Sequence, residues 1–216
     1  MPVSTLPEEK NNRQHSNMRQ YYRWQSRIYD LTRWLFLFGR KRLLNRLSVR
    51  NDKDTFLTEI GCGTGYNLRY LASRYTRIQL QGMDVSADML RRATTATASY
   101  SRRVYLLEKA YGKPEILKPI PDIILFSYAL TMFNPGWEEA IRQAWADLPA
   151  GGRIAVVDFH DTPHPSFRWW MDKNHVRMEG HLLPLLEELF QEEYCEVRPA
   201  YLGWWQYMLF VGKKVI

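Results

Sequence analysis

The stretch TFLTEIGCGTGYNLRYLASRY, residues 55–75, joins an apolar run to a helix-forming run through three glycines on alternate positions, Gly61, Gly63 and Gly65. That junction constrains the fold more than any other feature of the chain. A buried strand followed at once by a helix is the opening half of a parallel crossover unit. Glycine supplies positive φ and removes side chains from a tight turn. A ligand can then lie against backbone N–H groups at the positive end of a helix.

The same unit recurs downstream. IQLQGMDV reads as a strand and SADMLRRATTATA as its helix, with Ser86 as N-cap candidate. RRVYLLE, DIILFSYAL and RIAVVDF read as the third, fourth and fifth strands, and WEEAIRQAWADL, stopped by PAGG, as the helix between the last two. After HDTPHPSFRWW and a helix around HLLPLLEELF, the strands YCEVRPAYL and WQYMLFVGKK are separated by too few residues for a parallel crossover. The expected architecture is α/β: a Rossmann-like seven-stranded sheet of five parallel strands plus a C-terminal antiparallel hairpin, with helices on both faces.

Ahead of the sheet, residues 17–47 hold apolar positions at helical spacing, with Gly39 dividing two helices. The expected organisation is a flexible N-terminus at 1–16, a helical lid at 17–53 and a catalytic domain at 54–216. The net charge of +7 is concentrated at the front, where residues 1–53 carry twelve Lys/Arg against four acids. Such a segment attracts anionic surfaces without choosing among them. No apolar run approaches the roughly 20 residues of a membrane span, and the first residues do not form a signal peptide. Two cysteines, Cys62 and Cys195, provide neither a disulfide framework nor zinc-ligand spacing. A cytoplasmic protein is expected.

The glycine spacing excludes two familiar ligands. A dinucleotide fingerprint needs G-x-G-x-x-G, and a phosphate loop needs Gly-Lys followed by Ser or Thr; neither is present. Glu59, two residues before the first glycine, would repel a pyrophosphate but suits an ammonium group. Asp84 ends the next strand, about twenty residues on, where a carboxylate accepts both hydroxyls of a ribose. A nucleoside carrying an amino acid, S-adenosylmethionine, meets both demands. The competing reading of the glycines is a turn that only packs helix on strand; for Asp84 it is an acid at a helix N-terminus, and for Cys62 a small residue in a tight loop rather than a nucleophile.

EIGCGTGYN with GMDVSADML resembles the class I S-adenosylmethionine-dependent methyltransferases over about residues 55–215. The resemblance implies that Glu59, Gly61, Cys62, Gly63 and Gly65 hold the methionine moiety and Asp84 the ribose. Val85, Met89 and the Ala110/Tyr111 backbone are then expected at the adenine, with Ser127 and Tyr21 completing the cofactor contacts. Where the family often has an acid for the adenine amino group, this chain has Lys109, leaving Glu108 or a backbone carbonyl to substitute. Tyr29, in the first helix, resembles a tyrosine that closes over the cofactor.

At the end of the fourth strand, SYALTMFNPGW resembles a relaxed Asn-Pro motif of amino-group methyltransferases. The resemblance implies that the Asn134 side-chain oxygen accepts from the amine N–H bonds and aims the lone pair at carbon. A turn-former before Pro135 is the alternative. Aromatic residues recur at Tyr22, Trp24, Trp169, Trp170, Trp204, Trp205 and Tyr207, where a ring face can hold a sulfonium; most are expected to be packing. His175, with Asn174, Arg177 and His181, is a candidate base or carboxylate binder. No metal is expected, although His160, Asp161 and His164 lie close in sequence.

YYRWQSRIYDLTRWLFLFGRKRLL, SYALTMFNPGW and NHVRMEGHLLPLL together resemble a branch of betaine-lipid N-methyltransferases and azetidine-2-carboxylate synthases. The first implies an external acceptor, a small or lipid-headgroup amine, with the basic first helix resting on a membrane. The second implies no further substrate: the α-amino group of S-adenosylmethionine attacks its own γ-carbon and releases 5′-methylthioadenosine. A non-catalytic cofactor- or RNA-binding module is a third reading, but no nucleic-acid motif supports it, and no nucleic acid is expected.

Overall fold

The central strands bury both faces, and their sequences are correspondingly continuous in apolar residues. The computed structural model describes residues 37–47, 49–112 and 117–215. Gly39–Ile216 forms one unit, and all that follows concerns it. A short helix, α1 (Arg40–Leu44), precedes β1 (Thr55–Ile60), α2 (Tyr66–Arg74), β2 (Ile78–Asp84), α3 (Ala87–Thr97), β3 (Val104–Glu108) and β4 (Ile123–Ser127). Then come α4 (Trp137–Asp147), β5 (Arg153–Phe159), α5 (Pro165–Lys173), α6 (Leu182–Leu189), β6 (Gln191–Ala200) and β7 (Trp205–Lys213).

The sheet runs β3-β2-β1-β4-β5-β7-β6. Strands β1 to β5 are mutually parallel; β7 is antiparallel to β5 and pairs on its other side with β6. The seven-stranded mixed sheet with its terminal hairpin is the expected one. Because the order reverses between β1 and β4, the crossovers diverge there and leave a crevice at the carboxyl ends of the strands. Every β-strand candidate for the site ends at that edge.

Local chemistry explains the borders. Ser86 caps α3, its hydroxyl accepting from Met89 N–H at 3.4 Å. Strand β4 stops at Ser127, earlier than the run DIILFSYAL suggests, because Tyr128 takes φ 55° and the chain turns into a 3-10 segment, Leu130–Met132. Strand β6 starts earlier than expected, at Gln191, with a bulge between Glu192 and Tyr194. As an edge strand it has only one partner, so the polar start is tolerated. Helix α5 occupies residues read only as a connection; Pro165 at its first turn is the signal that marks it.

One apolar cluster lies between the sheet and helices α4 and α6, built around Ile124, Phe126, Ile141, Val156, Leu186 and Phe210. Leu43, Leu44 and Leu47 are also buried, so α1 belongs to the same unit as the sheet. Fully burying one such side chain contributes about 1.5–3 kcal/mol.

Candidate functional site

The glycine turn is the first piece of the site. Gly61 and Cys62 both donate to the Met83 carbonyl, at 2.8 and 3.0 Å, which ties the turn to the end of β2. All three glycines have positive φ: 70°, 52° and 74° at Gly61, Gly63 and Gly65. A Cβ on Gly61 would lie 2.9 Å from the Ala129 Cβ, and one on Gly65 3.0 Å from the Ala93 Cβ. Two of the three glycines are thus demanded by the protein's own packing. The Cys62 sulfur is turned inward, 2.9 Å from where a Gly82 Cβ would stand. Only the backbone of Cys62 is left to serve a ligand.

Asp84 joins the two motifs. Its Oδ2 accepts from Gly63 N–H at 2.8 Å and its Oδ1 from Ser86 N–H at 2.9 Å. Each oxygen has a further lone pair, so the carboxylate can fix the turn and still accept from another donor. Beside it Val85 is 61% exposed, an apolar surface next to a part-buried carboxylate. Met89 is half-buried on the following turn of α3. Glu59 is buried on β1, with Asn67 Nδ2 donating to its Oε1 at 2.6 Å. A buried acid below the turn favours a cationic ligand above it.

The β3 side is simpler. Glu108 ends β3 opposite Asp84, and Lys109 N–H donates to the Asp84 carbonyl at 3.1 Å. Ala110 is exposed. The Tyr111 side chain turns away from the edge: its hydroxyl donates to Asp147 Oδ2 at 2.7 Å and its ring meets Phe126 edge-on. Burial and the Asp147 carboxylate push the Tyr111 phenol well above its ordinary range.

The β4–β5 side rests on a residue that the sequence reading passed over. Asp158 is fully buried in β5 and accepts from Leu130 N–H (2.9 Å), Thr131 N–H (3.3 Å), Phe159 N–H (2.8 Å) and the Thr131 hydroxyl. It therefore pins the loop leaving β4. Burial pushes its carboxyl up to about 6, against the pull of those four donors. The signal in the sequence was an acid inside RIAVVDF, an otherwise apolar strand.

Ser127 ends β4 in a buried position, and Asn134 follows on the pinned loop, exposed, in a turn joined to Pro135 by a cis peptide. Trp137 opens α4, and its ring meets the His181 ring edge-on at 4.8 Å. Residues 174–181 lie against the same loop: Arg177 N–H donates to the Thr131 carbonyl at 3.2 Å, and Val176 and Met178 are buried. His175 is exposed at φ 60°, and its N–H donates to Asp172 O at 2.9 Å; the backbone there terminates α5.

His160, Asp161 and His164 are used separately. Gly180 N–H donates to the His160 carbonyl at 2.7 Å, Asp161 pairs with Arg168 at 2.8 Å, and the His164 ring stacks on Trp204 at 4.6 Å. The lid residues Tyr21 and Tyr29, with Tyr22 and Trp24, lie outside the described residues. No helix among the described residues is long and apolar enough to cross a membrane.

Residues 58–152 match a family model described as a methyltransferase domain. Trans-aconitate 2-methyltransferase from Afipia carboxidovorans is 30% identical over 113 residues, which is 51% of this chain and 41% of that relative. The chain matches less than half the length of its curated relatives. Among solved structures, the N-methyltransferase NodS from Bradyrhizobium japonicum in complex with S-adenosyl-L-homocysteine has a TM-score of 0.66 at 21% identity, covering 82% of this chain and 87% of its own. The (4+2)-cyclase SpnF gives 0.68 at 18% identity, covering 82% and 80%. The fold is the Rossmann-like one of these solved structures.

Proposed function

We propose that this chain is an S-adenosylmethionine-dependent methyltransferase acting on an amine, either a small molecule or a lipid headgroup. The observation that carries the cofactor half is the Asp84 carboxylate reaching across to Gly63 N–H at the switch-point edge of the sheet. Glu59, the backbone of 61–65, Asp84, exposed Val85, Met89 and Ser127 are the residues assigned to hold S-adenosylmethionine. The residues fit: a buried acid under the turn suits a sulfonium and an ammonium, a part-exposed carboxylate suits vicinal hydroxyls, and an exposed apolar strand end suits a purine face.

When bound, the cofactor supplies an electrophilic carbon on a positively charged sulfur. The chain must then align a nucleophile and keep its lone pair free. Asn134 is assigned to accept from the amine N–H, and Asp158 to hold its loop. His175 is retained only as a candidate base, because its placement is accounted for by the end of α5. Tyr21 and Tyr29 are assigned to the lid, and the basic first helix to contact with an anionic lipid surface.

A second reading is cyclisation of S-adenosylmethionine itself to azetidine-2-carboxylate. It is favoured by the aromatic residues that the segment after β4 carries, Tyr128, Phe133 and Trp137, whose ring faces suit a sulfonium. The fold accommodates chemistry other than methylation, as the name of the (4+2)-cyclase shows. Incubation with S-adenosylmethionine alone, then with added amines, separates the readings by the nucleoside released. S-adenosylhomocysteine formed only with an amine is the expected result. Methylthioadenosine without an acceptor would replace methyl transfer by cyclisation, and turnover only with a carboxylate acceptor would discard the amine.

A further inference from the structure

Buried polar atoms in folded proteins are nearly always hydrogen-bonded, and each exception calls for a partner. Three such atoms fall on two neighbouring histidines: Nδ1 of His160, and both Nδ1 and Nε2 of His181. His160 follows β5, and His181 precedes α6. The two are coupled through Gly180, which donates its N–H to the His160 carbonyl at 2.7 Å. A Cβ at Gly180 would stand 3.2 Å from the His160 ring, so a glycine there lets the imidazole lie close over the chain. The Trp137 ring closes the other side of His181, three residues from Asn134 on the far end of the same turn.

The charges around the pair decide what kind of ligand fits. Burial pushes His181 down to about 4, with Arg177 and the neighbouring His160 acting in the same direction and Glu179 opposing. Burial likewise lowers His160, against Asp161. Both imidazoles are therefore neutral, and each offers one nitrogen lone pair. Arg177 is engaged with Glu179 at 2.8 Å. A neutral imidazole also carries one N–H for a carboxylate, but an anion here would meet the Arg177 guanidinium already paired with Glu179, whereas an ammonium group finds lone pairs and a π face.

We propose that His160, His181 and the Trp137 ring form the acceptor subsite for the amine, with the imidazole nitrogens accepting its N–H bonds and the indole facing its charge. This rests on the amine reading above and names the residues that recognise the acceptor. The bound ammonium gives one proton to solvent before attack; its lone pair then forms the C–N bond as the C–S bond breaks, with Asn134 accepting from a remaining N–H.

The test uses the full chain with nitrogen-15-labelled histidine, observed by NMR with S-adenosylhomocysteine present. Ethylammonium is titrated in, and acetate in a parallel sample. The expected result is a saturable shift of the His160 and His181 ring nitrogens with ethylammonium, none with acetate, and His164 and His175 unmoved. His181→Gln should weaken ethylammonium binding about tenfold, near the loss of one charged hydrogen bond, while calorimetric affinity for S-adenosylhomocysteine and the melting temperature are kept. No shift, an equal shift with acetate, or shifts spread over all histidines would overturn the subsite even if the variant fails to fold. Absence of heat with S-adenosylhomocysteine alongside a retained ethylammonium shift would remove the cofactor reading and leave the subsite standing.

Discussion

The two halves of the sheet edge are built in different ways. On the β1–β2 side, the turn 61–65 and Asp84 are short-range devices: three positive-φ glycines, two carbonyl contacts to Met83, and one carboxylate bridging to Gly63. On the β4–β5 side, the loop 128–137 is held by a buried acid on the next strand and by residues 174–181, some forty positions away in sequence. The first half, proposed for the cofactor, is fixed by backbone geometry. The second half, proposed for the acceptor, is assembled from side chains brought together only by the fold.

The largest effect should come from breaking the second half at its anchor. Asp158→Ala leaves two or more buried N–H groups without an acceptor and should cost about 3–5 kcal/mol, read by denaturant unfolding. A loss below 1 kcal/mol would mean that the loop is held by other contacts. Asp158→Asn sharpens the point through pH. Because the folded carboxyl lies at about 6, above its ordinary 3.8, ionisation opposes folding. The native chain should gain stability as pH falls from about 6 toward 4, by an amount of about 3 kcal/mol, and the Asn variant should lack that gain. His181 works in the opposite sense: with its folded value lowered, stability is present above pH 6.5 and is lost on acidification toward about 4. Comparing each variant with the parent separates the two.

Next comes the turn. Gly61→Ala places a Cβ against Ala129 at a positive φ and should cost about 1–3 kcal/mol, together with cofactor affinity. Unchanged melting and binding would show that the turn can shift. Asp84→Asn puts an amide donor where two backbone N–H groups already point. It should weaken S-adenosylhomocysteine binding about tenfold or more in calorimetry, with the acceptor shift at His160 and His181 preserved. Simultaneous loss of both would mean that the halves are coupled rather than independent.

The smallest structural effect is expected at Asn134. It is exposed, so Asn134→Ala should leave stability within about 0.5 kcal/mol. Turnover should fall with little change in cofactor affinity. Unchanged kcat would leave it as a turn residue before Pro135.

The contrast also explains what the sequence revealed. The five parallel strands, the terminal hairpin and the Ser86 cap were legible because apolar period, capping and turn chemistry act over a few residues. Helix α5 was missed because FRWW reads as readily as a loop of aromatics, and only Pro165 marks its start. Asp158 looked like one more residue in a strand until its four donors, drawn from two segments, were seen together. The glycines were read as room for a ligand, yet Gly61 and Gly65 first make room for Ala129 and Ala93. A local pattern specifies that a turn must be tight, but not which neighbour demands it.

The most direct test of the central assignment is a calorimetric titration of S-adenosylhomocysteine into the parent chain and into Asp84→Ala. One saturable site in the parent, strongly weakened in the variant while its melting shows it folded, is the predicted result. Absence of uptake by the parent, or equal affinity in the two proteins, would contradict the assignment of this edge as the cofactor site.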